Sequence, residues 1–155
     1  MIQVLLGEIN SGKSTAVLQL CRDAISRGIK ISGWITPAYL KDDCKMGHDF
    51  VLLKQGKLYD AMPFTRSNFM QDSFIWRKYH FNKEAFRLAA KISTACDLFV
   101  MDEIGPLELE DGMGFSNTLD RVIKSGVNSL IVARTKVKPL IQKLLPNQNV
   151  AYGHF

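Results

Sequence analysis

Apolar residues along the chain fall into short runs, separated by stretches in which they recur every three or four positions. The first run, residues 2–6, reads as a strand buried on both faces. From Lys13 the period becomes helical: Val17, Leu20, Cys21, Ala24 and Ile25 share one face, and Gly28 supplies the stop. Residues 29–35 return to strand. Residues 41–64 predict a hairpin, with arms at 48–53 and 58–62 and a turn at Gln55-Gly56. Residues 65–81, rich in aromatics, read as irregular. Asn82 is placed to cap a helix with Glu84 in its first turn and Phe86, Leu88, Ala89 and Ile92 in its body. A second buried strand is expected over 98–101, a helix marked by Phe115, Leu119, Val122 and Ile123, and a third buried strand over 129–133. Pro139 opens a last helix with Leu140, Ile141, Leu144 and Leu145 inward, and residues 149–152 add a final strand. Strands alternating with helices predict an α/β fold: a mostly parallel sheet with helices on both faces and an inserted β-hairpin.

The length of 155 residues suits one domain over 1–155 with one good core. No apolar run is long enough to cross a bilayer, so no membrane partner is expected. The N-terminus lacks a basic n-region and a cleavage-site pattern, which leaves the cytoplasm as the expected compartment. Cys21, Cys44 and Cys96 are widely spaced, with no CxxC pair and no histidine at ligand spacing. They read as ordinary thiols, not as a metal site or a disulfide framework.

One motif carries specific chemistry. Gly7-Glu8-Ile9-Asn10-Ser11-Gly12-Lys13-Ser14 fits G-x-x-x-x-G-K-[ST] at every fixed position. Such a loop must curl so that successive backbone N–H groups point at phosphate oxygens, and glycines permit the dihedrals this needs. Lys13 would reach the β- and γ-phosphates, the Ser14 hydroxyl would ligate Mg²⁺, and the helix beginning there adds its positive end. The competing reading is a chance glycine-rich turn, expected in under about 1% of chains of this length. Here the motif follows an apolar strand and opens an amphipathic helix, the context that confirms it. The cradle for a nucleoside triphosphate is therefore assigned to residues 7–15, namely Gly7, Glu8, Ile9, Asn10, Ser11, Gly12, Lys13, Ser14 and Thr15.

Leu98-Phe99-Val100-Met101-Asp102-Glu103 is a buried run ending in two carboxylates. In open α/β sheets ligands sit at the carboxyl ends of parallel strands, where this run would deliver both acids. Asp102 would help hold Mg²⁺, as a Walker-B aspartate does. Glu103, one residue on, would orient or deprotonate a water. The alternative is two solvated acids at a strand end. An adjacent Asp-Glu pair favours hydrolysis over transfer to an acceptor, because a kinase gains nothing from a water-activating glutamate.

Four blocks carry a resemblance to the small thermophile-type P-loop nucleoside-triphosphatases, the family of the human cancer-related nucleoside-triphosphatase. They are the phosphate loop, Ser32-Gly33-Trp34-Ile35-Thr36-Pro37-Ala38, Gly47-His48-Asp49-Phe50-Val51-Leu52, and Met101-Asp102-Glu103-Ile104-Gly105-Pro106-Leu107-Glu108-Leu109. The resemblance implies a RecA-like fold with strand order 5-1-4-3-2 and slow Mg²⁺-dependent hydrolysis of ATP, GTP and other nucleoside triphosphates. Two positions depart from the family. Asn10 stands where many members have Gly, and Pro37-Ala38 replaces an acidic pair found in many members.

The implied strand order puts Arg134, at the end of the 129–133 strand, near the γ-phosphate. There it could stabilise transition-state charge; the competing reading is a surface arginine. Lys13, Glu103 and Arg134 thus form the candidate catalytic set. Arg77 is a weaker candidate, on a segment placed to fold over the site. Trp34, Phe64, Trp76 and Tyr79 could stack on a base, against the plainer reading of buried aromatics. His48, His80 and His154 are too scattered to form a set.

Charge is uneven. Residues 97–120 hold seven acids and no base, and residues 121–155 hold six bases and no acid. No RNP-like motif, zinc finger or continuous basic run accompanies that tail, so nucleic acid is not expected as a partner. The sequence leaves the oligomeric state open, with a monomer favoured. Two rival functions remain: a small-molecule kinase using residues 41–81 as acceptor site and lid, and a nucleotide-dependent module that binds nucleic acid or protein.

Overall fold

The computed structural model describes residues 1–146 and 148–155. Within these, eleven strands join in one sheet. Its parallel half runs β11 (Val150–His154), β1 (Ile2–Gly7), β10 (Ser129–Arg134), β9 (Leu98–Ile104), β2 (Ile31–Ile35). Counted along the chain, these five are fifth, first, fourth, third and second, which is the RecA-like order. Their carboxyl ends gather at one edge of the sheet.

Beyond β2 the sheet turns antiparallel. The eleven-residue β4 (Cys44–Lys54) pairs with β2 and carries three shorter partners: β3 (Ala38–Lys41), β5 (Lys57–Leu58) and β6 (Met62–Arg66). The expected second hairpin arm at 58–62 is therefore split. Two residues pair after the Gln55-Gly56 turn, and pairing resumes at Met62 opposite Phe50. Residues 65–81, read as irregular, end in a further hairpin of β7 (Ser73–Trp76) and β8 (Tyr79–Asn82), with β8 paired to β6. That hairpin is held by aromatic packing, not by alternation of apolar and polar positions. Phe81 stacks on Phe74 at 5.6 Å and meets Phe64 edge-on at 5.7 Å.

Both faces of the parallel half are covered. Helix α1 (Lys13–Ser26) packs Val17 and Cys21 against Ile31, Val100 and Val132. Helices α2 (Lys83–Ala90), α4 (Ser116–Ser125) and α5 (Lys138–Leu144) cover the other face with Ala85, Ala89, Leu119, Val122 and Ile141. Between β9 and α4 lies the one-turn α3 (Pro106–Leu109), which the apolar pattern does not reveal. Asn82 caps α2 as expected, its side-chain oxygen accepting the Glu84 N–H at 2.9 Å. Two leucines assigned inward face solvent: Leu20 is 62% exposed and Leu144 43%. Each helix meets the sheet along one narrow stripe, and these two fall outside it. Among the described residues, no helix is long and apolar enough to cross a membrane.

Candidate functional site

The segment from Gly7 to Ser14 forms a tight turn between a strand and a helix. It leaves β1 at Gly7 and enters α1 at Lys13. Gly12 has φ of 85° and Asn10 has φ of 59°, so both occupy the left-handed region. Asparagine tolerates that region better than most residues, which lets Asn10 take this turn without a glycine. The Lys13 stem runs against Gly7, where an added Cβ would lie only 2.8 Å from Lys13 Cδ. The Lys13 ammonium donates to the Glu8 carbonyl at 2.6 Å and the Ser11 hydroxyl at 3.3 Å, and so is held inside the curl of the loop. Residues 10–15 line a cavity of about 60 Å³, with Lys45, His48 and Glu103 at its rim.

The acidic pair sits on an irregularity that only strand pairing reveals. Met101 pairs with Ile131 and Ile104 with Ala133, so Asp102 and Glu103 together oppose the single residue Val132. This is a bulge in a parallel ladder. Its effect on side-chain direction is visible in the core: Met101 and Ile104, three residues apart, belong to the same apolar cluster. Glu103 itself has φ of 56°, uncommon for a residue other than Gly, Asn or Asp. The bulge lets the two carboxylates take different surroundings.

Asp102 is fully buried. Its Oδ2 accepts the Thr36 N–H at 2.9 Å and the Thr36 hydroxyl at 3.2 Å, and its Oδ1 accepts the Glu103 N–H at 2.9 Å. Burial, and then the neighbouring Glu103 charge, push its carboxyl up to about 6, against the pull of Thr36 and of the nearby Ser14 side chain. Among the described residues it forms no ion pair. Glu103 lies on the accessible rim, with Oε2 3.6 Å from Nη2 of Arg134. Register explains the meeting: Arg134 ends β10 directly opposite Gly7, at the first residue of the phosphate loop.

Beside this rim opens a larger cavity of about 760 Å³. Ile9, Asn10, Glu103 and Arg134 line the end it shares with the site, and the β7–β8 hairpin roofs it with Trp76 to Tyr79. The Trp76 indole N–H donates to Asp111 Oδ2 at 2.7 Å, tying the hairpin to the chain just after α3. Arg77, suspected to fold over the site, stands at the hairpin tip and stacks on Trp76, 4.2 Å from the ring centre. The aromatic candidates separate. Trp34 is fully buried, stacked on Phe115 at 4.2 Å, and has no access to a base. Phe64, nearly buried, shows an edge to the large cavity, which Trp76 and Tyr79 also line.

Three titratable residues at the site carry no role in the sequence reading. The Lys45 ammonium donates to Asn10 Oδ1 at 2.9 Å, and burial lowers its pKa. His48, set aside as scattered, lies on the rim with Nδ1 3.2 Å from the Thr65 hydroxyl, and burial pushes it down to about 4. Glu108 accepts the N–H groups of Gly105 and Phe115 at 3.1 and 3.2 Å, bracing the α3 turn; burial pushes it up to about 7. Lys45 and His48 approach the loop through β4, far from it in sequence, and no local pattern marks them.

The chain is similar to known proteins. The sequence profile of the family described as NTPase matches residues 3–153. The chain belongs to that family. As an NTPase it is an enzyme that acts on nucleoside triphosphates. The solution structure of a human cancer-related nucleoside triphosphatase is similar, with a TM-score of 0.67 and 17% identity. The match covers 97% of this NTPase and 86% of the human chain, and establishes a shared fold. A search of curated sequences returned no significant match to this NTPase.

Proposed function

We propose that residues 1–155 form one Mg²⁺-dependent nucleoside-triphosphatase domain that hydrolyses ATP, GTP and other nucleoside triphosphates at the junction of the phosphate loop, Glu103 and Arg134. The observation that carries this reading is the β9 bulge. It turns Glu103 toward the rim while Asp102 stays beneath it beside Ser14. One carboxylate is thus available to a nucleophile and the other to a cation.

The donors suit Mg²⁺. Ser14 and Asp102 offer hard oxygens, and a buried carboxylate with no cationic partner among the described residues favours a divalent ion. Bound there, Mg²⁺ would compensate the charge of the phosphate oxygens. Backbone N–H groups of residues 7–15 and the Lys13 ammonium bind and orient the triphosphate. Glu103 holds the attacking water and takes up its proton. Arg134 offsets the negative charge that develops on the γ-phosphoryl group.

The test is release of inorganic phosphate from ATP and Mg²⁺ with no acceptor present, repeated with single-stranded nucleic acid. Turnover without additions supports hydrolysis. Turnover only with an added acceptor would replace it by the small-molecule kinase reading, which the cavity beside Glu103 favours. Strong stimulation by nucleic acid would favour a nucleotide-dependent binding module.

A further inference from the structure

We propose that the 760 Å³ cavity under the β7–β8 hairpin binds a second small molecule alongside the nucleotide, a planar aromatic compound carrying a negative charge. The proposal rests on the phosphate-loop reading above, which fixes the direction of the triphosphate.

Position separates the cavity from the nucleotide's own base. Glu103 and Arg134 mark the end of the triphosphate where attack occurs, and the cavity begins at those two residues. The base is attached through the α-phosphate, at the opposite end. The 60 Å³ cavity of the phosphate loop and the large one meet only at Asn10, Lys45, His48 and Glu103. Volume agrees, since about 760 Å³ lies within the usual range for small-molecule sites.

The lining defines the ligand's chemistry. Phe64, Trp76, Tyr79 and Phe81 contribute aromatic surface to the walls, and an aromatic wall favours a planar partner. Five cationic side chains, Lys45, Arg77, Lys78, Arg134 and Lys136, line the same space against the carboxylates of Glu103 and Glu108. Glu108 has one oxygen bonded to Gly105 and the other to Phe115, so its charge is turned toward the α3 turn. The balance selects an anion. The roof is held in place: the Trp76–Asp111 hydrogen bond pins the hairpin, and Arg77 holds φ of 55° at its tip. The proposed hydrolysis at Glu103 and Arg134 assigns no role to this roof or to these aromatics.

The probe is 8-anilinonaphthalene-1-sulfonate, an anion whose fused naphthalene ring is planar, titrated by fluorescence with and without saturating Mg²⁺ and adenylyl-imidodiphosphate. The expected result is one-to-one binding that changes less than about twofold when nucleotide is present. It should weaken at least about tenfold in Trp76→Ala and, as a second variant that spares the roof, in Lys136→Ala. Leu20→Ala, on the exposed side of α1, should leave it unchanged, a control for binding at an exposed apolar position outside the cavity. Displacement of the probe by nucleotide would make the cavity the base pocket and overturn the proposal, as would absent binding or binding indifferent to both cavity variants. Calorimetry of the nucleotide in the same samples separates the two readings. Nucleotide binding without probe binding sinks the cavity proposal alone; failure of the nucleotide to bind sinks both.

Discussion

The Glu103 carboxylate and the Arg134 guanidinium face each other from neighbouring strands, 3.6 Å apart and both partly exposed. Neither strand end would make this pair alone: β10 supplies the cation in register with Gly7, and the bulge in β9 turns the acid toward it. A weak, accessible ion pair of this kind adds little to stability. Its place beside residues 7–15 is what the proposed hydrolysis draws on.

Glu103→Gln should bind Mg·ATP nearly as well as the parent and hydrolyse it about 10²–10⁴-fold more slowly, the usual contribution of a general base. Single-turnover kinetics with parallel calorimetry checks this. Retention of more than about half the parental kcat would make Glu103 an ordinary rim acid, since a base in this role contributes ~10²-fold or more.

Arg134→Ala should lower kcat more than it raises KM, because the charge it offsets develops during the reaction. The double variant with Glu103→Gln should fall short of the product of the two single effects, since the residues adjoin. Steady-state kinetics on all four proteins reads both quantities. Additive losses would show independent roles.

Lys13→Ala should weaken triphosphate binding at least about 100-fold, or ~2.7 kcal/mol. The buried stem against Gly7 adds a small stability loss of about 1 kcal/mol. Calorimetry and thermal unfolding measure these separately, and unchanged ATP affinity would remove the phosphate-loop assignment.

Selectivity among bases should be loose. The sequence holds no base-reading motif such as Asn-Lys-x-Asp. Rates for ATP and GTP should lie within about tenfold, or ~1.4 kcal/mol. Competition between the two measures the ratio directly; a preference above about a hundredfold, ~2.7 kcal/mol, would reveal a dedicated base pocket.

His48 should make the fold sensitive to mild acid. Burial holds it at about 4, below its usual 6.5, so between these values the unfolded chain takes up a proton that the folded chain refuses. Stability from this residue is therefore complete above pH 6.5 and is lost as pH falls toward 4. Asp102 and Glu108, raised by burial, act in the opposite sense as pH falls through about 6 and 7. His48→Gln should thus gain on the parent by up to about 2 kcal/mol across its window, after discounting for partial exposure. Urea unfolding at pH 7 and pH 4.5 reads the difference; a constant gap between the two proteins would show that His48 stays solvated.

Much of this architecture is legible in the residues, for physical reasons that also explain the gaps. The phosphate loop is recognisable because backbone geometry and phosphate chemistry restrict Gly7, Gly12, Lys13 and Ser14 to a few residue types. Asp102 follows from its place at the end of an apolar run. The bulge beneath Glu103 is hidden because it exists only in pairing with β10. Lys45 and His48 reach the loop through β4, a long-range contact with no local pattern. The β7–β8 hairpin escapes a search for alternation because Phe74, Phe81 and Phe86 hold it through aromatic clustering. Leu20 and Leu144 show the converse error, apolar residues at helical spacing that the sheet never meets.

The left-handed backbone at Glu103 sets folding against chemistry at one position. A sequence chosen for foldability alone would place Asn or Gly there, since either accepts that dihedral more readily than Glu. Glutamate persists in a conformation that costs of order 1–3 kcal/mol, offset by the rest of the sheet. Stabilisation guided by backbone preference alone would therefore single out residue 103 among its first substitutions, and the tougher protein it yields would lack the acid to which the proposed mechanism gives the water.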